Sequence, residues 1–283
     1  MKRIVDYLQS KSSEDVIVKT IFDNILYYQA INTDQKNKEF AGTLYNYFVH
    51  ECVKTNQYIS LSKNEFDRVH EVYRKLIYNL REIDAGEATI EDVQVIVKDH
   101  RSSLIEIIKT KVADNETILI PCSEYSISLQ LKILRINSSG IASPIIDIGC
   151  GKAARLVKYL NTNHKDVYGI DQYYNKLPYI MCENWLDFHF LPETWGTIIS
   201  HMAFSNHFRR ALVYKSKEVK KYEDKFKEML LSLRFGGRLI YSPSIPEIEK
   251  DLDHKEYVIE RYNNVDNNPI LDTVHITRVG LIR

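Results

Sequence analysis

Along roughly the first 115 residues, apolar side chains recur every three to four positions between polar ones. Ile17, Ile21, Ile25 and Tyr28 form one row. Phe66, Val69, Val72, Tyr73, Leu76, Ile77 and Leu80 form a second, and Ile90, Val93, Ile96, Val97, Leu104, Ile105 and Ile108 a third. That spacing puts each row on one face of a helix. Polar breaks near 32–36, 55–62 and 84–87 divide the segment into four or five helices. Ser62 and Glu65 have the spacing of a capping box, and Thr89 with Asp92 gives a further start signal. The pattern predicts a helical bundle domain over 1–115, in which no motif spells a reaction.

From Pro144 the pattern changes. The runs PIIDIG, DVYGID, YIMCE, TIIS and RLIYS are short, apolar and rich in β-formers, with helix-compatible stretches between most of them. This alternation predicts a parallel sheet with crossover helices on its faces. Near the end, EYVIERY and TVHITRVGLI follow one another across the turn-rich NNVDNNP, which predicts an antiparallel pair. A helix is expected over 123–135, leading into the first strand. The second domain, 116–283, is therefore expected to be α/β, a mostly parallel sheet finished by a hairpin.

Composition narrows the function classes. The 283 residues are 44% hydrophobic and 27% charged, enough for one large or two modest domains. Lys and Arg number 38 and so do Asp and Glu. That balance argues against bulk electrostatic attachment to DNA or to an anionic membrane. No apolar run approaches the roughly 20 residues of a membrane-spanning helix, and the basic start is followed by no long apolar stretch, so a cytoplasmic location is expected. Cys52, Cys122, Cys150 and Cys182 contain no CxxC pair, so neither a zinc site nor a disulfide framework is expected.

The richest motif is Asp147-Ile148-Gly149-Cys150-Gly151-Lys152-Ala153-Ala154, between the apolar PII and the helical ARLVKYLN. A strand, a glycine turn and a helix let a ligand approach the backbone, since Gly149 and Gly151 carry no Cβ to block it. Twenty-two residues beyond Gly149, the next strand ends in Asp171, placed to accept the hydroxyls of a ribose. Two cofactor readings compete. Gly149-x-Gly151-x-x-Ala154 fits the dinucleotide fingerprint with Ala in third place. Asp147 suits instead a cofactor with a cationic amino group, because a carboxylate there repels a pyrophosphate.

Over about 120–283 the sequence resembles the class I S-adenosylmethionine (SAM)-dependent methyltransferases. DIGCGKA is similar to the family's acidic-x-Gly-x-Gly-x-Gly, with Ala153 in place of the third glycine. Asp171 stands at the family's ribose position. CENWLDFHFLPETWGTIIS resembles the stretch from the adenine pocket into the fourth strand, and LLSLRFGGRLIYS the helix, Gly-Gly turn and fifth strand. The resemblance implies a Rossmann-like seven-stranded sheet with an antiparallel last strand, and SAM as cofactor. It implies that Gly149 and Gly151 border the cofactor, with Asp147 near its methionine end and Asp171 on its ribose. Counting back from Trp195 puts Asn184 at the adenine position, where the family often has an acidic residue. Trp185 covers the adenine ring or belongs to the core. Ser200, closing the fourth strand, borders the same crevice.

Methyl transfer requires mainly that the acceptor be positioned, and in some cases that a proton be removed from it. After Ser200 the chain reads His201-Met202-Ala203-Phe204-Ser205-Asn206-His207-Phe208. His201 and His207 are the candidate catalytic residues, as general bases near neutral pH, against the alternative that they only shape the pocket. The family's (Asn/Asp)-Pro-Pro-(Tyr/Phe) pattern for planar amino groups is absent, which disfavours methylation of nucleic-acid bases. The basic stretch 215–227 alternates with acidic residues and reads as a solvated helix face. Tyr125 is placed to cover the cofactor or to pack. A small-molecule acceptor is expected ahead of a protein or an RNA, with no DNA, membrane or metal partner, and a homo-oligomer is compatible with the chain. In many relatives an added helical domain caps the acceptor site, so the bundle is expected to shape substrate entry or a subunit interface. A dinucleotide-dependent oxidoreductase, a non-catalytic binding module of the same fold and an aminopropyl-type transferase stay open as rivals.

Overall fold

The computed structural model describes residues 2–55, 61–84, 86–109, 125–263 and 272–280. The chain forms two compact units, 1–122 and 123–283. The expected junction near 115 lies outside the described residues.

The described part of the first unit contains six helices: α1 (Lys2–Gln9), α2 (Lys11–Asp23), α3 (Ile25–Gln29), α4 (Asp34–Thr55), α5 (Lys63–Arg81) and α6 (Ile90–Ile108). Both capping boxes form, Ser62 with Glu65 and Thr89 with Asp92. The apolar row Ile17, Ile21, Ile25 and Tyr28 runs straight across the break at Asn24, while the break at Ser10 lies in the polar run 9–15, ahead of the first row. Ser10 caps α2 by accepting the Ser13 N–H, and Asn24 leaves helical geometry while its N–H still bonds Ile21 and Phe22. The apolar rows supply the core. Ile21, Val69, Ile77, Leu80, Val93, Val97 and Leu104 are buried, whereas Ile90, in the first turn of α6, is half exposed.

Arg101 of α6 is buried and fixes the corner between α1 and α2. Its guanidinium donates to the carbonyls of Leu8 (2.7 Å), Tyr7 (2.9 Å) and Ser10 (2.9 Å) and to Ser13 Oγ (2.8 Å). The Tyr7 and Ser10 carbonyls also accept the Ser10 and Glu14 N–H groups, so the Leu8 carbonyl depends most on the guanidinium. Replacing Arg101 with Met strands the Leu8 carbonyl and removes the buried partner of Glu14 at 3.5 Å. Urea unfolding of R101M is expected to show a loss of about 3 kcal/mol, the scale for breaking a buried charged network. A loss under about 1 kcal/mol would mean that water reaches the corner.

The second unit is α/β, with a seven-stranded, mostly parallel, Rossmann-like sheet. Its strands are β1 (Ile145–Ile148), β2 (Val167–Asp171), β3 (Ile180–Cys182), β4 (Trp195–His201), β5 (Leu233–Ser242), β6 (Tyr257–Tyr262) and β7 (Thr273–Arg278). The sheet order is β3-β2-β1-β4-β5-β7-β6. Strands β1 to β5 pair parallel, while β7 runs antiparallel to both β5 and β6. Strand β1 lies between β2 and β4, at the point where the order reverses, and an open α/β sheet binds ligands beyond the strand ends at that point.

Helices α7 (Ile127–Ile133), α8 (Arg155–Thr162), α9 (Phe204–Val213), α10 (Val219–Leu231) and α11 (Pro246–Glu249) complete the unit. Every residue of β1 is buried, as expected of a strand covered on both faces. Ile146 and Ile148 face a core with Phe204, Phe208 and Phe226, while Ile145 faces one with Val157, Leu160 and Ile199. By strand alternation Asp147 shares the face of Ile145.

Two expectations are corrected. The helix expected over 123–135 is shorter, because Ser126 caps α7 and Arg135 turns left-handed at φ 53° just after it. The Gly-Gly turn expected before the fifth strand lies within β5. There the register jumps from Trp195↔Leu233 to Thr197↔Arg238, and Gly236 takes φ +75°. No helix among the described residues is long and apolar enough to cross a membrane.

Candidate cofactor and acceptor site

The glycine turn leaves β1 and is stitched to β2. The N–H groups of Gly149 and Cys150 both donate to the Ile170 carbonyl, at 2.8 and 3.3 Å. Gly149 and Gly151 both take positive φ, +73° and +76°, and Ala154 sits left-handed at the start of α8. The two glycines differ in their surroundings. A Cβ on Gly149 would overlap the Cβ of Ala203, in the turn after β4, whereas one on Gly151 would meet nothing within 4 Å. Gly149 therefore serves close packing, and Gly151 leaves open space.

Asp171 closes β2 and reaches the turn. Its Oδ2 accepts the Gly151 N–H (2.8 Å) and its Oδ1 the Tyr173 N–H (3.1 Å). Both bonds hold the carboxylate at the mouth of the turn. The Gly151 N–H is the kind of backbone donor that a pyrophosphate would need, and it is already taken. This disfavours the dinucleotide reading.

Asp147 is buried, at 3% exposure, and accepts no hydrogen bond among the described residues. Burial, reinforced by repulsion from Asp171, raises its carboxyl to about 7. The same burial and the two carboxylates push the Cys150 thiol up, which leaves it unreactive. Among the described residues no group of side chains could hold a metal ion.

The sites expected at adenine are otherwise engaged. Asn184 Oδ1 accepts the Leu186 N–H (3.0 Å), and its carbonyl takes the N–H groups of Asp187 and Phe188, so Asn184 builds the turn after β3. Trp185 is 8% exposed and packs edge-on against Phe204 and His207, each at 5.6 Å. The core role is the one it takes. Ser200 is also structural. Its hydroxyl donates to the Ile148 carbonyl (3.2 Å) and accepts the Phe204 N–H (3.1 Å), tying β1, β4 and α9 together.

The two histidines part company. His201 ends β4, with its ring edge-on to Tyr125 at 4.8 Å. Its Nε2 is closed off from solvent and has no partner among the described residues. His207 lies on α9 against Trp185. Burial lowers both rings to about 4, with Arg210 assisting at His207. They are neutral at physiological pH but weakly basic, which is unsuited to the general-base role expected of them.

The sequence reading missed three contributors. Ala203 presses on Gly149, Ser205 buries an unpartnered hydroxyl, and Gln172 buries an unpartnered Oε1 next to Asp171. None of them belongs to a motif. They become visible only through their neighbours.

The sheet order, the antiparallel β7 and the glycine turn after β1 now stand together. The second unit has the class I methyltransferase fold. No family model matches the chain, and no curated protein matches it. Solved structures do, with the methyltransferase fold prominent among them. The N-methyltransferase NodS from Bradyrhizobium japonicum, in complex with S-adenosyl-L-homocysteine (SAH), is 15% identical; the match covers 62% of this chain and 98% of that one, at a TM-score of 0.37. An rRNA methylase from Streptococcus thermophilus is 14% identical over 58% of this chain and 100% of its own, at 0.34. The sugar N-methyltransferase KedS8 from Streptoalloteichus is 14% identical over 60% and 74%, at 0.29. The likeness is one of general outline, and no residue's role is taken from these proteins.

Proposed function

We propose that the chain is a SAM-dependent methyltransferase acting on a small molecule. The observation that carries this reading is the Asp147 carboxylate, buried without a partner beside a turn that is open at Gly151. SAM, when bound, supplies a methyl group on a sulfonium, an electrophile with its leaving group built in. Asp147 holds the cationic amino end of the methionine. Asp171 takes the ribose hydroxyls, while its bonds to Gly151 and Tyr173 keep it in place. Ser200 keeps the ends of β1 and β4 in register, so that the cofactor and acceptor sides of the crevice stay aligned.

His201 acts as a neutral hydrogen-bond partner for the acceptor through Nε2. With both histidines weakly basic, the acceptor is a nucleophile that already carries a lone pair, such as an amine. The balanced charge of the chain favours a small acceptor over RNA.

Calorimetry on the full chain tests the reading with SAM, SAH and NADH. SAM and SAH are expected to bind and to raise the melting temperature by mass action. NADH is expected to do neither. Heat from NADH with none from SAM or SAH would overturn the proposal in favour of an oxidoreductase.

A further inference from the structure

We propose that Gln172, in place of Asn184, reads the amino edge of the cofactor's adenine; the inference rests on the SAM reading above. The sheet order sets the direction. The methionine end sits at Asp147 on β1 and the ribose at Asp171 on β2, so the base continues toward β3, the next strand outward. Gln172 stands on that line. It directly follows Asp171, and its carbonyl accepts the Cys182 thiol of β3 at 3.4 Å. Asp171 is joined to the same place through its carbonyl, which accepts the Glu183 N–H.

The Gln172 side chain carries the second observation. Its Oε1 is closed off from solvent and receives no hydrogen bond among the described residues. A buried acceptor without a donor is a standing cost that a ligand N–H removes. A carboxamide places an acceptor beside a donor, the complement of adenine's amino group and adjoining ring nitrogen, and amides read adenine in this way in nucleic acids. Asn184 has the same chemistry, but its oxygen already holds the Leu186 N–H.

The test measures dissociation constants for SAH and for its 6-deamino analogue, in which purine replaces adenine. Wild-type protein is expected to prefer SAH about tenfold or more, the scale for one buried hydrogen-bond partner. In Q172L that preference disappears, because SAH binds as weakly as the analogue does. Q172E keeps an acceptor and restores the preference, and N184A retains it. Q172M repeats the apolar substitution should Q172L fail to fold. A preference that survives in both apolar variants, or that vanishes in N184A alone, overturns the assignment while leaving the cofactor reading intact. Wild-type protein that binds neither ligand overturns both.

Discussion

Replacing Asp147 with Asn is expected to make the ligand-free protein more stable and its cofactor site nearly useless. The carboxyl titrates near 7 in the folded chain and in the ordinary carboxylate range when unfolded. Between about pH 4 and pH 7 the folded state therefore holds a proton that the unfolded state has released. Stability falls as pH rises through that window, and the full penalty is present above it. A shift of about three units corresponds to at most about 4 kcal/mol, so a gain of about 2–3 kcal/mol in D147N at pH 8 is a fair expectation.

His201 and His207 act in the opposite direction. Their folded values, near 4, lie below the unfolded value, so their contribution grows as pH rises from about 4 to 6.5. Comparing D147N with wild type at each pH cancels that part. Urea titrations at pH 4.5 and 8 should show nearly equal stabilities at the lower pH and a clear gain for the variant at the higher.

Binding moves the other way. Losing the charge that answers the ligand's ammonium should raise the SAH dissociation constant about 100-fold at pH 8, the scale for truncating a buried charge pair. In wild type, affinity should fall up to tenfold per pH unit below 7, as the carboxyl must first lose its proton. D147N should show no such slope. A variant no more stable than wild type at pH 8, or one that binds SAH normally, would remove Asp147 from the site.

The second large effect separates two glycines that look alike in the sequence. G149A puts a methyl group into Ala203 and forces a non-glycine residue to φ +73°. Strain of about 1–2 kcal/mol adds to an overlap that only a shift of the turn relieves. We expect a loss of about 3 kcal/mol or more in denaturant unfolding.

G151A carries the same strain at φ +76°, but its methyl group meets open space. Its stability should fall by only about 1–2 kcal/mol, while SAH affinity drops at least tenfold because the methyl group occupies the ligand's approach. Equal stabilities for the two variants would show that the turn is not packed against the loop after β4. Normal SAH binding by G151A would show that the open space is not the cofactor's.

Much of the architecture was legible because it is local. The 3.6-residue rows of α5 and α6, and the Ser62 and Thr89 capping boxes, need only residues a few positions apart. The short β-rich runs separated by helices, and the two strands joined by a turn-rich loop, specify parallel and antiparallel pairing by chain geometry. The finer division at Asn24 was hidden because apolar periodicity passes through it.

The glycine turn and the carboxylate at the end of β2 were likewise written in the sequence. Their meaning was not. Whether a glycine serves packing or a ligand depends on Ala203, far along the chain, and on whether the turn after β4 folds back against it. That Asp147 is unpaired, that Asn184 is spent on its own turn, that Trp185 is core and that both histidines are held neutral are consequences of burial. Burial is fixed by strand order and by side chains from other elements, and desolvation and hydrogen-bond satisfaction follow from that assembly. The sequence by itself determined which elements form and which chemical groups lie at their ends; the tertiary structure decided which of those groups lack a partner.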